Sequence, residues 1–430
     1  MLKMNTYLLL VTMALTGFGL HSNKSTSSIA AYNGQPATPN PNFLFLSDIH
    51  LNTTSNSTQY GGDTGMDLWA LFLAKTDSIL AGPNAPGFII YTGDLPAHYS
   101  WSGSAFLPLD GRATHNANIT AILSGLKGVA DKYHKPLFYL PGNNDGLAGD
   151  YYSFTDAEQQ TPLSLVPDST NPFPALNINR SGKKAPCMVS NPHPSMGYYS
   201  ARPVAGLRII ALNTVVYDTS FVTDDGTDKV ADRNLQMKWL AAQLADAKSK
   251  KEKVYLAMHV PPGMDAYGNV GMWVKPSTGN KTWLNTFLSL TSRYQATIAG
   301  VLYGHTHMDE VRRLYDSTGT KITEVAISCP GVTPQHYNNP GFKTVQYDAA
   351  SKELMDFTTF YTLPTSTSYW GSATYTFSSA YQNMPNTSIY QRLSSLPLND
   401  VNNYMATVFT VMSQPATYNI QRGIEVKWGQ

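Results

Sequence analysis

Five apolar stretches of this sequence each end directly in side chains that can bind a metal ion. The stretches are rich in β-branched and aromatic residues, which predicts short buried strands. The side chains that follow them are Asp48 with His50, Asp94, Asn143, His259, and His305 with His307. Patterns typical of amphipathic helices separate several of the stretches, so we expect an α/β fold. Parallel strands in such a fold present their carboxyl ends at one edge of a sheet, which predicts that these side chains meet there.

Each of these residues also has an ordinary structural explanation. A Gly-Asp pair after a strand is usually a turn with a solvated carboxylate, and a lone histidine usually completes hydrogen bonds in the core. That explanation is the expectation for four histidines outside the five sets: His115, His134, His193 and His336. Five sets in one chain favour a centre of two metal ions instead. The carboxylate of Asp94 has two oxygens, and it can bridge two cations about 3.5–4 Å apart.

The spacing within two of the sets indicates that both side chains of each set can bind the same metal ion. Asp48 and His50 are two residues apart, as are His305 and His307, and in extended chain that spacing directs both side chains to one face. Imidazole and carboxylate ligands together suit borderline metals. The sequence therefore predicts two divalent ions of a borderline metal such as zinc, manganese or iron.

The remaining patterns predict helices, a long loop and an irregular tail. Apolar residues at helical spacing predict helices over residues 66–80, ended by Gly82-Pro83, and around residues 119–133 and 235–244. Residues 151–195 form an irregular stretch rich in Pro, Asn and Ser, and a loop of that length is usually functional. Short helices are expected in the tail after residue 363. Cys187 and Cys329 either form a disulfide or remain two separate thiols.

The first 28 residues have the pattern of a secretory signal peptide. Lys3 precedes an apolar run over residues 8–20, and small polar residues follow it. A short N-terminal anchor is the alternative, and no later run is long enough to predict a transmembrane span. Residues 29–42 are then a linker, and we expect a secreted or periplasmic protein. A formal net charge of +1 with 14% charged residues predicts no nucleic-acid-binding surface.

The five sets together resemble the metal-binding motifs of the calcineurin-like metallophosphoesterase superfamily. Further motifs narrow the resemblance to its acid sphingomyelinase-like phosphodiesterase branch: Gly-Asp-Leu-Pro-Ala-His at 93–98, His-Val-Pro-Pro-Gly at 259–263, Gly-His-Thr-His-Met-Asp-Glu at 304–310 and Asn-Pro-Gly-Phe at 339–342. The resemblance implies a four-layer α/β fold in which two mixed β-sheets pack face to face and are flanked by helices. The catalytic domain would span residues 43–362, and a small helical C-terminal subdomain would span residues 363–430.

The resemblance also implies a role for each of the seven side chains. The first metal ion would be held by Asp48, His50 and His307, the second by Asn143, His259 and His305, and both by a bridging Asp94. Zinc is the usual metal in this branch, and a hydroxide bridging the two ions would attack phosphorus in line. The implied substrates are small molecules with phosphodiester or nucleotide-type bonds. A phosphomonoesterase is the alternative, because the same centre serves both reactions.

One position departs from the superfamily pattern. The histidine that usually follows the Gly-Asn pair is replaced by Asn144, which can donate a hydrogen bond but cannot protonate an alkoxide. His98 matches a second histidine of the branch and is the expected general acid, with a structural hydrogen bond as its alternative role. From a different class, a catalytically weak metal-bound binding protein also fits the departure. The segment between the signal and residue 43 is short, so we expect no saposin-type lipid-engaging domain.

Overall fold

The computed structural model of the chain describes residues 40–98, 109–166, 187–222, 230–266, 271–273, 282–413 and 418–430. These residues belong to one unit, Asn40–Gln430. The predicted signal peptide and most of the predicted linker lie outside the described residues. Within the described ranges, no helix combines the length and the apolar character that crossing a membrane requires.

The described part of the chain forms fourteen strands. They are β1 (Asn42–Leu46), β2 (Ile89–Tyr91), β3 (Leu137–Tyr139), β4 (Met188–Ser190), β5 (Tyr199–Val204), β6 (Leu207–Ala211), β7 (Lys253–Ala257), β8 (Ile298–Tyr303), β9 (Val311–Tyr315), β10 (Ile322–Ser328), β11 (Gly341–Tyr347), β12 (Leu354–Tyr361), β13 (Thr374–Thr376) and β14 (Glu425–Val426). The first sheet has the order β13-β12-β11-β1-β2-β3, and the second has the order β14-β9-β10-β8-β7-β6-β5-β4. Both sheets are mixed; β1, for example, pairs parallel with β2 and antiparallel with β11.

Eight α-helices accompany these strands in the described residues. They are α1 (Met66–Ala81), α2 (Leu109–Lys132), α3 (Val230–Ser249), α4 (Trp283–Arg293), α5 (Phe377–Ala380), α6 (Ile389–Ser395), α7 (Leu398–Val408) and α8 (Gln421–Ile424). The helix predicted over residues 66–80 is confirmed as α1. It ends where predicted, because Gly82 leaves the helical conformation and its N–H bonds the carbonyl of Ile79 at 3.2 Å.

The two sheets pack face to face through aromatic side chains. The ring of Phe43 in β1 lies 5.6 Å from Tyr255 in β7 and 5.1 Å from Phe88, which precedes β2. On the outer side of the first sheet, Phe72 of α1 packs edge-on against Phe342 of β11 at 5.3 Å. On the outer side of the second sheet, α3 and α4 share a buried apolar cluster with β7 and β8. These contacts give the four-layer arrangement of helices, sheet, sheet and helices, which confirms the predicted fold class.

The expectation of a single sheet edge that carries all the ligand side chains is wrong. The strands β1, β2 and β3 belong to the first sheet, whereas β7 and β8 belong to the second. The alternation of strands and helices does not distinguish one parallel sheet from two sheets that are packed together. The side chains are still adjacent, because residues following the strand ends of the two sheets come into direct contact, as described below.

The C-terminal tail is more closely integrated with the sheets than a separate helical element would be. It contains the expected short helices α5–α8, but β13 pairs with β12 in the first sheet and β14 pairs with β9 in the second. Cys187 is half-buried and Cys329 is buried, and both are free thiols.

Candidate metal centre

The backbone at the candidate site is held in an uncommon conformation. Five of the seven predicted ligand residues have positive φ angles without being glycine: Asp48 at 48°, His50 at 45°, Asp94 at 63°, His305 at 74° and His307 at 60°. The left-handed region is sparsely populated by residues that have a Cβ atom, and each such residue costs about 1–3 kcal/mol. Strain concentrated in this way is typical of functional sites, where surrounding contacts hold side chains in place.

Hydrogen bonds between strand ends supply those surrounding contacts. Asp48 N–H donates to the carbonyl of Gly93, and Ile49 N–H donates to that of Asp94, both at 3.0 Å. His305 N–H in turn donates to both carboxylate oxygens of Asp48 at 3.0 Å. The loops after β1, β2 and β8 are therefore tied together across the two sheets.

The first half of the cluster contains Asp48, His50, Asp94 and His307, all of which are at least 98% buried. The Nε2 atom of His50 lies 3.2 Å from Asp94 Oδ2 and 3.1 Å from His307 Nε2. His307 Nε2 is 3.5 Å from Asp48 Oδ1. Four ligand atoms from four residues thus converge on one small volume.

The second half of the cluster is completed by Asn143. Its Oδ1 atom lies 2.9 Å from His259 Nε2 and 2.8 Å from His305 Nδ1. His259 Nε2 is also 3.2 Å from Asp94 Oδ2. Asp94 therefore belongs to both halves, and the structure brings all seven predicted residues together.

These separations fit a bound metal ion. Two ligand atoms that each lie about 2.1 Å from one tetrahedral ion are roughly 3.4 Å apart. The nearest-neighbour distances between ligand atoms of the seven residues, 2.8 to 3.5 Å, fall around this value. Two imidazole nitrogens that face each other at 3.1 Å, as His50 and His307 do, would otherwise have to share one proton. The cluster can hold metal ions.

Hydrogen bonds on the far side of two imidazoles prepare them as ligands. His50 Nδ1–H donates to the carbonyl of Pro96 at 3.0 Å, and His259 Nδ1–H donates to that of Thr92 at 2.7 Å. A proton fixed on Nδ1 leaves Nε2 free to bind a cation. The tautomer that metal binding requires is therefore selected by the backbone.

Charge within the cluster is balanced between the carboxylates and the imidazoles. Burial acts to raise the pKa of Asp94, but His259 and His50 outweigh it and hold the pKa well below the ordinary value. Burial acts to lower the pKa of His259, yet Asp94 raises it to about 9. Burial and the neighbouring His259 lower the pKa of His305 to about 3. Protons thus occupy positions beside Asp94 that a divalent cation would take, whereas His305 is held as the neutral imidazole that binds metals.

A buried carboxylate that the sequence reasoning missed holds the ligand loops in place. Asp145 accepts hydrogen bonds from the N–H groups of Leu95 at 2.6 Å, Gly142 at 2.7 Å and Asp94 at 3.2 Å, and from the hydroxyl of Tyr139 at 2.8 Å. Burial raises its pKa to about 6. The sequence feature that could have identified Asp145 is its position directly after Asn143 and Asn144.

The structure distinguishes the two predicted catalytic residues. Asn144 donates from its backbone N–H to Asp94 Oδ1 at 2.8 Å and from Nδ2 to Asp94 Oδ2 at 3.1 Å. The ring of His98 stacks on that of His50 with centroids 3.7 Å apart, and its Nδ1–H donates to Asp63 Oδ1 at 2.7 Å. The side chain of His98 is 29% exposed, whereas Asn144 is buried.

A cavity of about 320 Å³ opens beside the cluster. Asp94, His98 and His305 line it on the side of the cluster. His336, which the sequence analysis treated as structural, also lines it, and its ring lies 4.8 Å from that of His307. No strand precedes His336 directly, so the pattern that identified the other ligand residues could not identify it.

Buried aspartate, histidine and asparagine side chains at the strand ends of two packed sheets form a cluster that can hold metal ions. The calcineurin-like phosphoesterase family model matches residues 41–309. The chain belongs to the calcineurin-like phosphoesterases, a family of metal-dependent phosphoric ester hydrolases.

Two sequence relatives support the acid sphingomyelinase-like branch as well as the family. "Sphingomyelinase phosphodiesterase D" of Dictyostelium discoideum is 29% identical over 73% of this chain and 64% of its own length. "Cyclic GMP-AMP phosphodiesterase SMPDL3A" of Mus musculus is 27% identical over 78% of this chain and 74% of its own length. The crystal structure of a dimetal phosphatase from Danio rerio aligns over 75% of this chain and 96% of its own, at 13% identity and a TM-score of 0.45. The two sequence relatives confirm the resemblance to the acid sphingomyelinase-like branch.

Proposed function

We propose that this protein is a secreted phosphodiesterase with a binuclear metal centre. The position of Asp94 carries the proposal, because its Oδ2 atom lies 3.2 Å from Nε2 of both His50 and His259. Those two imidazoles belong to different halves of the cluster. One carboxylate between two sets of ligands is the arrangement that suits a pair of ions about 3.5–4 Å apart.

The ligands divide between the two ions according to their contacts. The first ion would be held by Asp48, His50 and His307, the second by Asn143, His259 and His305, and both by Asp94. Two imidazoles per ion, combined with oxygen ligands, suit zinc, and manganese or iron are the alternatives.

Bound divalent ions supply two effects, a lowered pKa for coordinated water and neutralisation of charge on the phosphoryl oxygens. The protein itself fixes the ligands. Asn144 contributes by donating two hydrogen bonds to Asp94, at 2.8 and 3.1 Å, which hold the shared carboxylate in one orientation. Asn144 is therefore a positioning residue in this proposal, in addition to any contact that it makes with the phosphoryl group.

His98 is the proposed general acid. It borders the cavity, stacks on His50, and is oriented by a hydrogen bond from Nδ1 to Asp63. A positioned acid contributes about 10²–10⁴ in rate when an alkoxide leaves. Asn144 cannot supply that proton, so the role falls to the imidazole on the cavity wall.

The choice of leaving group tests this role. We expect His98→Ala to slow the release of alkyl leaving groups by about 10²–10⁴ and to leave p-nitrophenolate, which departs without a proton, nearly unaffected. Asp63→Asn serves as the matched control and should have a smaller effect in the same direction. Equal slowing of good and poor leaving groups would assign His98 a structural hydrogen bond instead.

Diesters are proposed as substrates in preference to monoesters. The cavity of about 320 Å³ lies within the range of small-molecule sites and has room for a substrate with organic groups. The names of both sequence relatives, a sphingomyelinase and a cyclic dinucleotide phosphodiesterase, also describe diester hydrolysis. The kcat/KM for bis-p-nitrophenyl phosphate should exceed that for p-nitrophenyl phosphate. A clear preference for the monoester would favour the phosphomonoesterase alternative.

Assays with a panel of natural substrates then identify the substrate class more narrowly. Sphingomyelin, a cyclic dinucleotide and a nucleoside triphosphate cover the lipid, nucleotide and polyphosphate possibilities. If the protein binds two ions but turns over neither the panel nor the nitrophenyl esters, the metal-bound binding protein becomes the better account.

Secretion is proposed from residues 1–28, whose charged start and apolar run fit a signal peptide. Expression of the full chain in a host with a secretory pathway should yield extracellular or periplasmic protein that has lost this segment. Intact mass spectrometry of the product measures the loss. A full-length protein retained on membranes would indicate the N-terminal anchor.

A further inference from the structure

The side chain of Asn143 has two ends, and only one of them can bind a cation. Its Oδ1 atom faces His259 and His305 at 2.9 and 2.8 Å, as a metal ligand must. The amide nitrogen is a donor and would repel a cation. A site that uses an asparagine therefore needs a group that fixes which end of the amide faces the metal.

Asp150 is in the position to fix that orientation. Its Oδ1 atom accepts a hydrogen bond from Asn143 Nδ2 at 2.8 Å. A carboxylate accepts hydrogen bonds and donates none, so it pairs with the nitrogen end and leaves the oxygen end facing the cluster.

The neighbouring residue reinforces the same arrangement. Tyr151 N–H donates to the carbonyl of Asn143 at 2.7 Å, and the Tyr151 ring packs edge-on to His305 with centroids 6.4 Å apart. Tyr151 has a φ of 58°, which is uncommon for a bulky residue. Val222 holds this conformation by donating its N–H to the carbonyl of Tyr151 at 2.9 Å. Asp150 and Tyr151 thus contact two of the proposed ligands of the second ion.

We propose that Asp150 is a positioning residue for the second metal ion, because its carboxylate orients the Asn143 amide with the oxygen toward His259 and His305. The inference rests on the proposed binuclear centre and extends it. Asp150 lies outside every motif that identified the ligands. Because Asp150 bonds a ligand of the second ion alone, its loss should weaken the binding of that ion and spare the first.

The test compares the zinc affinities of three variants: two substitutions of Asp150 and one of Asp218. Removing a hydrogen-bonding partner of a metal ligand costs about 10–100-fold in affinity, so Asp150→Leu should weaken one of two zinc ions by that factor and leave the other within about 3-fold. Asp150→Asn can still accept through its Oδ1 and should stay much closer to the wild type. Asp218→Leu is the matched control, because Asp218 lines the same cavity but bonds Ser220 N–H at 2.7 Å. Competition with a chelator of known affinity gives both dissociation constants, and circular dichroism of the metal-free variants verifies folding.

If Asp150→Leu folds poorly, Asp150→Ala takes its place, because alanine also cannot accept the hydrogen bond from Asn143. A second background then isolates the orientation of the Asn143 amide. In Asn143→Asp both ends of the ligand side chain are oxygen atoms, so orientation by Asp150 is no longer needed. Asp150→Leu added to that variant should cause no further loss of zinc affinity. A loss as large as that in the wild-type background would overturn the positioning role.

The possible results distinguish a failure of the Asp150 positioning role from a failure of the binuclear centre. A wild-type protein that binds fewer than two zinc ions contradicts the binuclear centre, and the positioning role with it. A wild type that binds two ions, together with an Asp150→Leu variant of unchanged affinity, contradicts the positioning role alone. Equal weakening of both ions would also overturn it, because that result indicates a general structural role.

Discussion

Gly142→Ala tests how closely the strand ends pack around the shared carboxylate. A Cβ atom at position 142 would lie 2.2 Å from Asp94 Oδ1 and 2.4 Å from Asp94 N. Non-bonded atoms in contact are about 3.5 Å apart, so something must move by about 1 Å. A change of rotamer cannot relieve the contact with a backbone nitrogen, and the carboxylate is also held by Asn144 N–H at 2.8 Å. The displacement therefore falls on Asp94 itself.

A misplacement of about 1 Å costs about 10²-fold in rate. We expect Gly142→Ala to lose at least that factor in kcat/KM for bis-p-nitrophenyl phosphate, and to bind fewer than two zinc ions per chain. Gly128→Ala is the matched control, because a Cβ atom there meets nothing within 4 Å. Within α2 that change should stabilise the protein by about 0.5–1 kcal/mol and leave activity unchanged. Wild-type activity and metal content in Gly142→Ala would refute the reasoning.

Three further substitutions probe the centre and the core. Asp94→Asn should reduce metal content more than any other single ligand change, because the shared side chain loses the negative charge that attracts both ions and both sites weaken at once; elemental analysis that still finds two equivalents would contradict the bridge. Lys343→Met should lower the free energy of unfolding in urea by about 3–5 kcal/mol, because it leaves the buried carboxylate of Asp309 without its ion-pair partner; a loss below about 1 kcal/mol would show that Thr359 and Tyr375, which also bond Asp309, suffice. Burial raises the pKa of Glu324 from 4.5 to about 8, so the folded protein keeps a proton that the unfolded chain releases, and stability falls as the pH rises through this window. Glu324→Gln should remove that fall, which is at most about 5 kcal/mol, and should therefore stabilise the protein at pH 8 relative to wild type; identical pH profiles of the melting temperature would contradict this account.

The cluster of seven proposed metal ligands was predictable from the sequence because each residue follows its strand within a few positions. A buried strand delivers the chain to a fixed point, and the polar side chain after it has little freedom to move elsewhere. Asp48, Asp94 and His259 were identified in this way. The division of the strands between two sheets was not predictable from periodicity, and it came from the resemblance to a known family.

Residues that act through other residues were missed. Asp145 and Asp150 bond ligands or ligand loops, and His336 reaches the cavity from a loop that no buried strand directly precedes. Asp63 orients His98 across 35 residues of chain. Their roles depend on contacts that are distant in sequence, and a polar residue in a loop carries no local pattern that reveals such a contact. The strands β9 to β12 were missed for a different reason, because charged and polar residues such as Arg312 and Lys343 interrupt their apolar runs and are buried by pairing with carboxylates.

The amount of metal bound per chain tests the central claim most directly. Protein reconstituted with zinc and freed of excess ions should contain two equivalents by elemental analysis. Removal of the metal by a chelator should abolish hydrolysis of bis-p-nitrophenyl phosphate, and addition of zinc should restore it. A content near zero, with hydrolysis untouched by the chelator, would contradict the binuclear centre.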